Sequence, residues 1–132
     1  DSIRVDSLYS SFLAINQDDS ILAIANGHKI KIYSLVEKKW LLTLSPLGDM
    51  SSVIFIPDSP YLVASVNYSG LIILNIVTQE YIKVETNYHA SKLLYLESSK
   101  EIIGFQDYDY KYMVLSIDDL IEFFQEKKKR TK

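Results

Sequence analysis

Apolar residues along this chain come in short runs, many of them alternating with polar ones, and turn residues interrupt them every few positions. Period two over such lengths predicts β-strands. In the first forty-odd residues the runs are FLAIN, ILAIA, KIKIYSL and WLLTLS, separated by Gln17-Asp18-Asp19-Ser20, Asn26-Gly27-His28 and Glu37-Lys38-Lys39. A second stretch reads SVIFI, YLVASV, LIILNI and YIKVET, and a third KLLYL, EIIGF and KYMVLSI. In KIKIYSL, Ile30 and Ile32 alternate with Lys29 and Lys31, which suits a strand with one wet face. LIILNI is apolar at almost every position, as a strand covered on both faces is expected to be.

The three stretches are copies of one unit. Leu22, Leu62 and Ile102 lie forty residues apart, as do Asp18, Asp58 and Ser98 in the preceding turn. Leu35, Ile76 and Ile117 then keep a spacing of forty-one, the added residue falling in the second turn, where length variation is cheapest. A period near forty with four strands per copy resembles the WD40 repeat family of β-propellers, over roughly residues 8 to 126. The Trp-Asp pair that ends the family's third strand is replaced by Tyr33-Ser34, Leu74-Asn75 and Leu115-Ser116, and its Gly-His opening is missing, so the hydrogen-bond relay of typical blades is not expected. Pro57-Asp58-Ser59, Asn26-Gly27 and Ser69-Gly70 keep the turn chemistry. The resemblance implies an all-β fold of three four-stranded antiparallel blades, about 8–49, 50–90 and 91–126, with a basic tail at 127–132.

Propellers typically have four to eight blades, so three cannot close a ring, and an open stack leaves two sheet faces bare. The chain also starts without an initiator Met. It is therefore expected to be part of a larger protein or complex that supplies the other blades. At its end SIDDLIEFFQEKKKRTK breaks the repeat. Ser116 with Asp119 three residues on can cap a helix, and Ile117, Leu120, Ile121 and Phe124 share one helical face. A terminal helix is favoured over a fourth strand at Glu122 to Gln125, and covering a bare blade face is favoured over docking on a partner.

Composition changes the picture little: 48% of residues are hydrophobic and 23% charged, as in packed globular domains. No apolar stretch approaches the roughly 20 residues that span a bilayer. With no cysteine there is no disulfide or thiol chemistry, which accords with an intracellular setting, nuclear or cytoplasmic. Charge is uneven. Residues 1–126 hold nine Lys and Arg against seventeen Asp and Glu, a net of −8, while Lys127, Lys128, Lys129, Arg130 and Lys132 form a basic cluster. Such a cluster fits a nuclear localisation signal, a phosphate contact or a solvated end. The acidic body disfavours nucleic acid across the blades.

No catalytic constellation, metal site or cofactor is expected. His28 follows a tight Asn-Gly turn, His89 has no partner at ligand spacing, and Asp107, Asp109 and Asp118-Asp119 lack a calcium-loop frame. Four glycines make no phosphate loop. Ten tyrosines point to contacts instead, with Tyr108, Tyr110 and Tyr112 alternating through the second turn and third strand of copy three. Against this, Tyr112 could pack between blades while the other two decorate a hairpin. Tyr68, Tyr108, Tyr110 and Phe123 are the candidate partner-binding residues. Family resemblance thus implies a non-catalytic protein–protein interaction scaffold with other proteins as partners. A phosphoinositide-binding propeller is the alternative, although its Phe-Arg-Arg-Gly motif is absent, and regulatory or substrate-recognition blades of a larger enzyme are a third reading.

Overall fold

A computed structural model of the chain describes residues 11–26, 28–45, 48–66, 70–85, 92–106 and 111–130. Each alternating run becomes a strand: β1 (Ser11–Ile15), β2 (Ile21–Asn26), β3 (Lys29–Ser34) and β4 (Lys39–Leu44) in the first copy. The second copy holds β5 (Met50–Phe55), β6 (Tyr61–Val66), β7 (Gly70–Asn75) and β8 (Glu80–Val84). β9 (Lys92–Leu96), β10 (Glu101–Gln106), β11 (Lys111–Ser116) and one helix, α1 (Ile117–Arg130), make up the third. The strands form three antiparallel meanders, each sheet built from consecutive strands. Among the described residues the third sheet has three strands where four were expected, because the segment after Ser116 has helical rather than strand periodicity.

The repeat is visible in single hydrogen bonds. The amides of Leu35, Ile76 and Ile117 donate to the carbonyls of Ser20, Pro60 and Lys100 at 2.8, 2.9 and 3.1 Å, so the same turn is tied to the same strand end in every copy. Lys38 and Gln79 both adopt positive φ, 57° and 64°, and donate to Ser34 and Asn75 carbonyls, closing equivalent hairpins. Ser34, Asn75 and Ser116 stand at one repeat position, and each uses its side-chain oxygen on the turn that follows. Ser34 Oγ accepts from the Glu37 amide at 2.9 Å, and Asn75 Oδ1 from Val77 and Thr78 at 2.9 and 3.1 Å. Ser116 Oγ accepts from the Asp119 amide at 3.3 Å, as an N-cap does.

The sheets stack face to face with the second in the middle. Alternate residues of β6 and β7 serve its two sides: Leu62, Ala64, Ile72 and Leu74 meet Ala23, Ala25, Ile30 and Ile32 of the first sheet. Val63, Leu71 and Ile73 meet Leu93 and Ile102 of the third, together with Ile117, Leu120 and Phe124 of α1. β6 is accordingly buried at all six positions and β7 at its first five, as the LIILNI pattern requires, whereas β3 buries only alternate residues. The first strands of the sheets, β1, β5 and β9, lie nearest one another without ladder pairing, as in blades around a common axis. Ser52 Oγ accepts from the Leu93 amide at 3.1 Å and links two of them.

The helix is held by its apolar stripe. Ile117, Leu120 and Phe124 are buried, and Phe124 meets Tyr61 edge-on at 5.3 Å between centroids. Asp118 and Asp119 sit in the first turn and Lys127, Lys128 and Lys129 in the last, which suits the helix dipole at both ends. Lys128 Nζ reaches Glu80 at 3.9 Å. The covering role thus falls on the wedge between second and third sheets; the outer face of the third sheet is not sealed by α1.

Candidate interaction surfaces

Because the copies superpose by register, each residue of an end sheet has a counterpart in the middle sheet whose surroundings show what that position is built to touch. The face each sheet turns to the next one is formed by Ala23, Ala25, Ile30 and Ile32 in the first copy and by Val63, Ser65, Leu71 and Ile73 in the second, all fully buried. Their counterparts in the third sheet are Ile103, Phe105, Tyr112 and Val114, and these look outward. Tyr112 is 63% and Val114 44% exposed, and Leu94 on β9 is 49% exposed.

Ladder register makes these side chains one surface. Leu94, Ile103 and Val114 lie side by side on one rung, and Lys92, Phe105 and Tyr112 on another. Cross-strand neighbours on one face are within contact range, so Leu94, Ile103, Val114, Phe105 and Tyr112 adjoin one another, with Lys92 at the edge. Large exposed apolar patches with a polar rim mark interaction sites. Burying one such side chain is worth about 1.5–3 kcal/mol, so covering several of them is a substantial driving force.

The opposite end of the stack is less open. On the outer face of the first sheet Leu13 and Ile15 are exposed, but Ile24 at its centre is buried. Tyr33 and Trp40, paired across β3 and β4, meet edge-on at 5.0 Å, and Lys31 Nζ lies 5.7 Å from the Trp40 ring centre. This corner is amphipathic, whereas the third sheet offers aliphatic and aromatic side chains.

A third surface is the solvent side of α1. Phe123 is there, with Lys127 Nζ 5.6 Å from its ring centre, and a shallow cavity of about 380 Å³ is lined by Asp119, Glu122, Phe123, Glu126 and Lys127. A second hollow of about 500 Å³ lies between the first turns of copies one and two, where Gln17 Oε1 accepts from the Asp58 amide at 2.9 Å. Beside it the Ser20 hydroxyl donates to Asp18 at 2.5 Å and holds that carboxyl below the usual range.

Of the residues singled out from sequence, Phe123 is on the helix exterior, and Lys127, Lys128 and Lys129 lie in the last turn of α1, which ends at Arg130. Tyr68, Tyr108, Tyr110 and Lys132 fall outside the described residues, as do His89, Asp107 and Asp109. Tyr112 does not pack between the blades; it stands on the outer face. His28 is an exposed turn residue with Nδ1 3.2 Å from Asp49. Among the described residues no three His, Cys, Asp or Glu side chains converge as metal ligands do. Sequence reasoning did not pick out Leu94, Ile103, Phe105 and Val114. Their trace was there: EIIGF and KYMVL are apolar on both alternations, as in the middle copy.

No protein-family model matches the chain, and no curated protein matches its sequence. Solved structures do. Hydrazine synthase of Kuenenia stuttgartiensis superposes with a TM-score of 0.71 at 12% identity, over 82% of this chain and 34% of that one. A chain in the mitotic checkpoint complex superposes with a TM-score of 0.67 at 12% identity, over 80% of this chain and 35% of the other. At such identity the likeness is one of fold: propeller-like blades. The chain spans about a third of the length of these structures. No helix among the described residues is long and apolar enough to cross a membrane.

Proposed function

We propose that the chain is a WD40-like propeller portion acting as a non-catalytic protein-interaction scaffold, with the outer face of the third sheet as its principal contact surface. The observation that carries this is the exposure of Leu94, Phe105, Tyr112 and Val114 at positions whose counterparts for Phe105, Tyr112 and Val114 are wholly buried between blades. The strand and turn pattern resembling WD40 repeats supports the assignment, and one structural neighbour comes from a multiprotein assembly. Contacts on such a face rest on shape and apolar burial, with tyrosine supplying rigid area and a polar tip.

The test is a matched pair of proteins. Phe105→Asp/Tyr112→Asp places two charges on the outer face without touching the blade cores. Circular dichroism is expected to be unchanged, while a polypeptide retained by the original chain in pull-down and light-scattering experiments is lost from the variant. Retention of the same polypeptides by both proteins would refute the assignment.

A further inference from the structure

The sheets differ at their outer edge. In the first two, β4 flanks β3 and β8 flanks β7, whereas β11 is the last strand of the third sheet among the described residues. The helix has led the chain elsewhere. Its contacts at Tyr61 and Glu80 are with the first residues of β6 and β8, at the end of the sheets where β11 finishes, so α1 departs across that end toward the second sheet. An edge strand presents a row of backbone donors and acceptors, and proteins usually blunt it with proline, charge or a bulge. β11 reads KYMVLS: it has no proline, its ladder to β10 is regular from Lys111 to Ser116, and its single charge is at the entry.

We infer that β11 accepts an extended segment of a partner protein as an antiparallel fourth strand, completing the third blade. This deepens the scaffold reading by naming the kind of partner it takes. The strands already at this position define the chemistry. Leu42 and Leu44 of β4 stand across from Ile32 and Ile30, and Ile82 and Val84 of β8 across from Ile73 and Leu71. Tyr81 and Lys83, on the other alternation of β8, are exposed. The incoming segment therefore carries two aliphatic residues spaced two apart, opposite Val114 and Tyr112, with polar or amphipathic residues at the alternate positions. Main-chain pairing holds it, and the aliphatic pair sets its register.

The chain's own repeat supplies a probe. A synthetic peptide of residues 78–85, TQEYIKVE, is the counterpart of the missing strand. Amide hydrogen exchange of the full 132-residue chain is measured with and without it. Exchange at Lys111 to Leu115 is expected to slow about tenfold once the peptide is at ten times its dissociation constant. The same peptide with Ile82→Pro, which lacks the central N–H, is expected to leave β11 unprotected. Absence of β11 protection, equal protection by the proline peptide, or protection confined to β7 through exchange with β8 would overturn the inference. The two readings fail separately: capture of a partner by the outer face with β11 unprotected sinks the strand, and β11 protection with no dependence of capture on Phe105 and Tyr112 sinks the face.

Discussion

Asn75 and Ser116 occupy the same place in neighbouring sheets, and each accepts backbone N–H groups from the turn that follows, yet one leads into a hairpin and the other into fourteen residues of helix. The side-chain acceptor starts a turn in both; it does not choose what comes next. After Asn75 the chain reads IVTQEYIKV, with β-branched residues and a period of two that sets Ile82 and Val84 on one face. After Ser116 it reads IDDLIEFFQEKKKR, with apolar residues at three- and four-residue steps, acids at the start and cations at the end. The second sheet therefore completes itself, whereas among the described residues the third ends at β11 while its helix fills the wedge behind it.

If the middle sheet is a core and the third sheet a margin, one substitution made at equivalent positions must cost differently. Leu74 is fully buried between sheets and Leu115, its counterpart, is half-buried. Leu74→Asp buries a charge with no partner and is expected to cost about 4 kcal/mol or more, enough to unfold the chain. Leu115→Asp is expected to cost about 2 kcal/mol, because its carboxylate can reach water. Urea unfolding of both proteins decides it, and a folded Leu74→Asp chain would contradict the two-sided burial of β7. Next in size is Phe124→Ala, which removes the ring packed on Tyr61 and is expected to cost about 3 kcal/mol, with loss of helical ellipticity ahead of the sheet signal.

Much of this contrast could be read from the residues. LIILNI announced a strand covered on both faces, KIKIYSL one with a wet side, and the stripe Ile117, Leu120, Ile121 and Phe124 a helix, because burial acts directly on side-chain periodicity. Where the helix would dock was not readable. Its stripe fits any apolar surface, and the choice of Tyr61 and the middle sheet depends on the turn geometry at Ser116. The outer-face residues escaped for a related reason: Phe105 and Val114 have the same alternation as buried residues, and only their place in the stack leaves them exposed among the described residues. The shared role of Ser34, Asn75 and Ser116 was hidden because none of them is the Asp of the WD40 pattern that the repeat resembles.

The cap offers a finer comparison than the core. Ser116→Ala removes the acceptor of the first helical turn and is expected to cost about 1 kcal/mol, read as a lower helix signal with the strands intact. Asn75→Ala removes an acceptor of two hairpin amides, yet their N–H groups are exposed to water and the Gln79 bond to the Asn75 carbonyl at 2.8 Å remains. It is expected to cost less than Ser116→Ala by a few tenths of a kcal/mol. Equal costs would mean that the two positions are energetically as well as geometrically alike.

The smallest effect is the most telling for function. Tyr112 has the repeat position of Leu71, where truncation would leave a cavity between blades, but it stands on the open side of an edge strand. Tyr112→Ser is therefore expected to change the stability of the isolated chain by no more than about 0.5 kcal/mol. Hydrogen exchange of β11 with the TQEYIKVE peptide bound supplies the other half of the comparison, since the added strand brings an aliphatic side chain against this ring. A stability loss with peptide that is absent without it assigns Tyr112 to an interface made only on association; the same loss in both states means that the isolated chain already packs it.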